Sequence, residues 1–198
     1  MKYALCTVFA LLSIVSCGSN DTIIEDPRPI DKDVYNFAFK SYHVQGTTLY
    51  QGSLGQKSNP EESYLNTYWS LYQEPAWKKI ILDLKNSSIQ LISDNSTVQT
   101  HSITIANDSV LLNDTPKQPN YIGSFNKKES SFTLKRTYRY VKKVPRNETD
   151  ALFITKSAFF GTTQYENMFG SVFSAPSQMT QNGDEVLWSN IEYSYQSL

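Results

Sequence analysis

What this chain lacks bounds it first. In 198 residues there are only two cysteines and two histidines. The cysteines, Cys6 and Cys17, both precede everything that reads as a folded domain. The body of the chain is therefore expected to have no disulfide and no thiolate metal site. His43 and His101 stand alone in strand-like runs, with no His-x-His, no Glu-Xaa-Xaa-His and no cysteine cluster, so no metal site is expected. Neither a Gly-x-Ser-x-Gly elbow, a glycine-rich phosphate loop nor a dinucleotide fingerprint occurs, and no cofactor is expected. One-sided charge is also missing. Eighteen basic residues stand against 19 acidic ones, which argues against a nucleic-acid partner. Beyond the first residues, no apolar run is long enough to cross a membrane as a helix.

Carboxylates are the remaining catalytic possibility. Asp83 lies on a strand, and Glu61-Glu62 and Asp184-Glu185 are sequence neighbours. A glycosidase needs two carboxyls at a set separation. Adjacent acids in turns and helix starts have a plainer explanation as caps and solubilising charge. No catalytic residue is assigned, the chain is not expected to be an enzyme, and a carboxylate-based hydrolase stays a third reading.

The N-terminus is more informative. Lys2 supplies a positive start and Tyr3 to Val15 a short apolar stretch, flanked as a cleaved signal peptide would be. It ends in Ile14-Val15-Ser16-Cys17. This order of charge, apolar run, small residue and Cys resembles the lipobox of bacterial lipoproteins. The resemblance implies cleavage before Cys17 and a lipid anchor, diacylglycerol on its sulfur, with two acyl chains of the palmitate kind on that one residue. Gly18 follows where a retention-type Asp would sit in the enterobacterial sorting rule, so the implied address is the outer membrane, on a side the sequence leaves open. Residues 1–16 are thus expected to be signal peptide and residues 17–33 a lipidated Cys and flexible tether. The tether is polar, carries Pro27 and Pro29, and reaches up to ~50 Å at about 3.3 Å per residue. Its scattered acids resemble the surface-export signals of Bacteroidetes lipoproteins.

Residues 34–198 read as one domain, mostly strands. Val34 to Val44 and Thr47 to Leu54 suggest a pair split at Gln45-Gly46. Asn59-Pro60-Glu61-Glu62 suggests a short helix near residues 60–68, with Asn59 as cap, leading into a strand near Tyr68 to Tyr72. Three hairpins follow: Lys79 to Lys85 with Ile89 to Ser93, Thr97 to Ala106 with Val110 to Asn113, and Asn120 to Asn126 with Ser131 to Lys143. Alternation such as Phe132/Thr133/Leu134 marks half-buried antiparallel strands. Five Asn-X-Ser/Thr triplets, at Asn86, Asn95, Asn107, Asn113 and Asn147, read mainly as turn chemistry. Residues 144–183 suggest one strand near Ala151 to Lys156 and then a long aromatic loop, Phe159 to Phe173, that could act as a lid. A last strand runs from Glu185 to Tyr195.

Successive hairpins without intervening helices make a meander, and a meander removes its edges by closing. The predicted fold class is all-β, an antiparallel barrel. The meander resembles the lipocalin-like domains of Bacteroidetes lipoproteins, with the first barrel strand placed near Trp69. The Gly-X-Trp signature of lipocalins is absent, since Thr67-Tyr68 precede that Trp.

The strand Phe132 to Tyr140 carries the candidate binding residues. Alternation puts Phe132, Leu134, Arg136, Tyr138 and Tyr140 on one face, with Lys135, Thr137 and Arg139 on the other. If the first face points inward, Arg136 is a cation among aromatics that needs a partner. Arg-X-Tyr on one face can clamp a carboxylate. The Arg136-X-Tyr138 spacing resembles the head-group pair of fatty-acid-binding proteins. Alternatively, Arg136 closes the barrel end by stacking on Trp69 or Tyr72. The leading expectation is a membrane-anchored protein binding a small apolar or amphipathic ligand inside the barrel. The alternative is a cell-surface protein or glycan interaction module whose barrel is filled by side chains. A basic zone from Lys127 to Arg146 could meet acidic groups.

Overall fold

The computed structural model describes residues 33–113, 120–161, 166–169 and 172–198. Ten strands occur among them: β1 (Val34–Gln51), β2 (Gln56–Ser58), β3 (Trp77–Asp83), β4 (Ser88–Ser93), β5 (Val98–Ala106), β6 (Ser109–Leu112), β7 (Asn120–Asn126), β8 (Ser131–Lys143), β9 (Phe153–Phe160) and β10 (Glu185–Ser197). All described pairings are antiparallel. The order β10-β1-β3-β4-β5-β6-β7-β8 returns to β10, closing an eight-stranded barrel. Closure gives each of these strands two partners, so the barrel has no edge. Among the described residues, helix is confined to one four-residue α-turn, Glu166–Phe169, and two 3₁₀ segments, Glu62–Thr67 and Pro176–Gln178.

The hairpin ladder expected from Lys79 to Lys143 is present. β8 has the bounds that its alternation suggested, and its residues alternate in burial along the barrel section. The turn asparagines act locally. Asn86 bonds Asp83, and the Asn147 side chain accepts from Thr149.

Other expectations are corrected. The break at Gln45-Gly46 is not a hairpin. β1 runs through it and pairs with β10 from Phe37 to Gln51. Gln45 is an extra residue between Val44↔Ile191 and Gly46↔Asn190, and its amide reaches Glu192 at 2.5 Å. A bulge of this kind bends a long strand without ending it, and a second lies between Phe39 and Ser41. The first barrel strand is therefore β1, and Trp69 lies on no strand. The helix expected near 60–68 is a 3₁₀ segment, and its cap position is Glu61, not Asn59. The strand expected near Ala151 to Lys156 is β9, displaced towards Phe160. It takes Phe159 and Phe160 from the stretch read as loop.

Three strands outgrow the barrel. β7 pairs with the first half of β8, up to Leu134, and β9 pairs with the second half, from Arg136. β3 likewise pairs with the start of β1 and β2 with its end. Above the barrel, β2, β1, β10, β8 and β9 thus continue as a sheet with two faces. One face is continuous with the barrel core. The other carries Tyr50, Val141, Val186 and Trp188, covered by Met168, Phe169, Phe173 and Met179 in a second core. Tyr50 stacks on Trp188 at 5.7 Å, and Phe169 meets both edge-on. The aromatic segment expected to form a lid is thus committed, where described, to the back of the sheet.

Gly123 marks the tightest packing in the barrel. It sits at the register shift between β6 and β7, and an added Cβ would lie 1.9 Å from the Thr133 carbonyl oxygen. That neighbour is ladder backbone and cannot move alone. Gly123→Ala should lower the unfolding free energy by about 3 kcal/mol, at the upper end for overpacking. A urea midpoint unchanged from wild type would contradict this packing.

Candidate binding site at the barrel mouth

The connection from β1 to β3 builds the site. It folds over the end of the barrel from which the long strands project. Leu65 is fully buried beneath it and Tyr72 nearly so, both within the barrel core. The sequence supplies a chain of phenols there. Glu62 accepts from Tyr42 at 2.9 Å and from Tyr72 at 2.8 Å. Glu185, at the start of β10, accepts from Tyr68 and, at 3.5 Å, from Tyr64. Tyr193 donates to the Tyr72 carbonyl at 2.7 Å, and Tyr195 donates to that of Trp77 at 2.7 Å. The barrel wall thus holds its plug through hydroxyls that would otherwise be buried without partners.

Burial pushes the phenols of Tyr193 and Tyr195 above their ordinary value, and burial together with the Glu185 carboxylate does the same for Tyr68. The Glu62 carboxylate raises Tyr42, and burial followed by Glu62 raises Tyr72. These groups favour the neutral form in the fold. Their contribution is complete below the unfolded tyrosine value near 10 and is lost as pH climbs through the higher folded values. Stability in urea should therefore fall steeply above about pH 10, with phenolate absorbance appearing together with unfolding. Smooth titration of the tyrosines near their ordinary value in a folded protein would contradict this network.

Arg136 lies on the inward face of β8, as alternation predicted. Its guanidinium sits 4.8 Å from the Trp77 ring centre, 5.6 Å from that of Tyr138 and 5.8 Å from that of Phe160. Trp77 and Phe160 stack on each other at 5.0 Å. Stacking at the barrel end was anticipated on Trp69 or Tyr72; the ring that serves is Trp77. Trp69 instead meets Tyr138 edge-on at 5.4 Å. Arg136 Nη2 donates to the Ala158 carbonyl at 3.3 Å, while its Nε is buried without a hydrogen-bond partner. No described carboxylate pairs with it. A guanidinium has five donors, and one long bond to a carbonyl leaves most of its fork unused.

The other candidate residues divide by depth. Tyr138 joins Arg136 at the mouth, its hydroxyl 2.8 Å from that of Tyr193. Tyr140 stands higher, with its ring 4.2 Å from that of Tyr68. Phe132 and Leu134 lie deeper, at 1% and 0% exposure. Phe132 packs against Phe37 and Tyr195. Around them Ile80, Leu82, Ile89, Leu91, Ile122 and Tyr193 are equally buried. The interior at this level is filled with side chains. The larger hollows open at the ends and flanks. One of about 300 Å³ is lined by Tyr68, Trp69, Leu71, Tyr72 and Tyr138 at the mouth. Another, of about 470 Å³, lies at the opposite end among Leu84, Ile103, Ile105 and Phe125.

Sequence reasoning missed Trp77, Phe160 and the two carboxylates as members of the mouth. Phe160 pairs directly with Arg136 across β8 and β9, a register that the sequence did not display. Glu62 and Glu185 were noticed only for their acidic neighbours. No described group of three His, Cys, Asp or Glu side chains could hold a metal ion. Cys17 and the expected signal and tether, up to residue 32, lie outside the described residues. No protein family matches this chain, and no curated protein or solved structure matches it either.

Proposed function

We propose that this is a lipid-anchored lipoprotein of the bacterial outer membrane, whose solidly packed barrel serves as scaffold for recognising a carboxylate-bearing partner at the mouth. One observation carries the reading: the Arg136 guanidinium, held against the Trp77, Tyr138 and Phe160 rings with its Nε buried and unpaired. A planar fork on a ring stack is preorganised for a carboxylate. The packing around Phe132 and Leu134 favours the filled-barrel alternative over a ligand within the lumen. The hollow beside Tyr138, with Trp69 and Leu71 on its rim, offers apolar surface to the rest of such a partner. Aromatic rings beside tyrosine hydroxyls also suit a glycan that carries a uronic acid.

The test compares Arg136→Met with the wild type, using a glucuronate-bearing oligosaccharide and a fluorescent fatty acid as probes. Removing a charge-assisted hydrogen bond should weaken whichever probe binds by about ten- to a hundredfold. If neither probe binds, or if Arg136→Met binds as the wild type does, Arg136 serves only to close the barrel end.

A further inference from the structure

Strand β9 ends the strand order, and no described strand pairs with its outer edge. The opposite end of the sheet is short, since β2 has three residues against eight in β9. Long open edges are what proteins ordinarily avoid or use. The register fixes which groups face outward. Gly161 donates to the Lys135 carbonyl at 2.8 Å, so that pair is hydrogen-bonded. Bonded and non-bonded pairs alternate along an antiparallel ladder. Phe159, Ser157, Thr155 and Phe153 therefore turn their amides to β8, and Phe160, Ala158, Lys156 and Ile154 turn theirs to the open edge. The last three are exposed.

The surroundings specify a partner. Leu152, Phe153 and Ile154 are 54%, 44% and 50% exposed, an apolar patch at the start of the strand. Beside it a hollow of about 510 Å³ is lined by Lys143, Val144, Asp150, Leu152, Phe153 and Val172. Lys142, Lys143 and Lys156 form no ion pair with a described carboxylate. Among the described residues, the Lys156 ammonium meets the Tyr68 carbonyl, at 3.1 Å, and the face of its ring. The acids nearby are Glu148, exposed in the β8–β9 loop, Asp150, which accepts from the Arg146 amide within the same turn, and Glu185, which faces Lys142 across β8 and β10 and accepts from Tyr68. The edge is thus apolar at its start, with Lys142 and Lys143 on the neighbouring strand there, and carries the cation Lys156 near its middle.

We propose that the outer edge of β9 receives an extended segment of a partner protein, alternating acidic and apolar residues, as an added strand. Main-chain bonds to Ile154 and Lys156, and to the amides of Ala158 and Phe160, supply the ladder, the Ala158 carbonyl being taken by Arg136, and the cations select the sequence. A second copy of this chain fits less well, because β9 carries Lys156 and no acid to pair with it. This surface does not depend on the carboxylate reading of the mouth.

The test uses the full chain and a fluorescein-labelled peptide alternating glutamate and valine. Binding should slow amide exchange at Ile154, Lys156 and Ala158 and leave that at Thr155 and Ser157 unchanged. Ala158→Pro removes an outward donor while sparing the bonds to β8, as an edge position allows. It should weaken binding by about tenfold or more. Lys156→Glu, which leaves the outward amides of β9 in place, should also weaken it by about tenfold. Sedimentation should show a monomer. The proposal is overturned if the peptide gives no protection, if both variants bind it like the wild type, or if the wild type dimerises in a manner that Lys156→Glu alters, which would make a second copy the occupant.

Discussion

Asp184→Ala should destabilise the protein by about 3 kcal/mol or more, the cost of leaving a buried ion without its partner. Asp184 is 1% exposed and receives four donors. The Val144 and Gln181 amides reach it at 3.0 and 3.2 Å, and the Arg146 guanidinium at 2.7 and 3.3 Å. Arg146 also donates to the Val144 and Gln178 carbonyls and lies over the Phe173 ring. One carboxylate thus ties the β8–β9 loop to the segment before β10, and with it the cover of the second core. Alanine removes every bond to that oxygen pair and strands two amides. The Arg146 side chain is 21% exposed and can turn partly to water, which places the expectation near the lower end of the range for buried pairs. Asp184→Asn keeps the shape and some acceptor capacity, so its cost should be smaller. Urea midpoints decide the matter. A loss below about 1 kcal/mol would place the pair with ordinary surface bridges.

Cys17→Ser should move the protein from the membrane fraction to the soluble fraction, or leave it unprocessed. Serine offers no sulfur for the diacylglycerol, and Cys17 is the last cysteine in the chain. Two acyl chains on one residue hold a protein stably at a bilayer, whereas one chain binds only marginally. The expected change is therefore nearly all-or-none. Fractionation with palmitate labelling reads both events: the wild type should be labelled and sediment with membranes, and Cys17→Ser should be unlabelled, and soluble wherever its signal has been removed. A variant that loses its signal yet stays tightly bound would remove the lipoprotein reading.

The parts of the fold legible in the sequence were those fixed by local alternation. β8 was bounded correctly because the sequence alternates from Phe132 and the strand opens on a recognisable turn, Lys127 to Ser130. The inward set of Phe132, Leu134, Arg136, Tyr138 and Tyr140 followed from the same period. β1 was misread because Gly46 looks like a turn residue. Only the partner strand β10, more than a hundred residues away, shows that the chain continues through a bulge. β9 was displaced because its outer face serves a second core whose other members come from distant segments. Asp184 was seen beside Glu185, while its partner Arg146 lies 38 positions away. Whether the inward face borders a ligand or more side chains depends on volumes summed across eight strands, which no single strand records.

The packed scaffold with recognition at its mouth is tested most directly by following individual residues during titration. The probes are the glucuronate oligosaccharide and the fatty acid, with nuclear magnetic resonance of the side chains as readout. The account predicts that the Arg136 Nε–H and the Trp69 and Trp77 indoles shift together on binding, while the methyls of Leu134 and Leu91 and the ring of Phe132 stay still. Shifts concentrated on Phe132, Leu134 and Leu91 would place the ligand inside the barrel and contradict it.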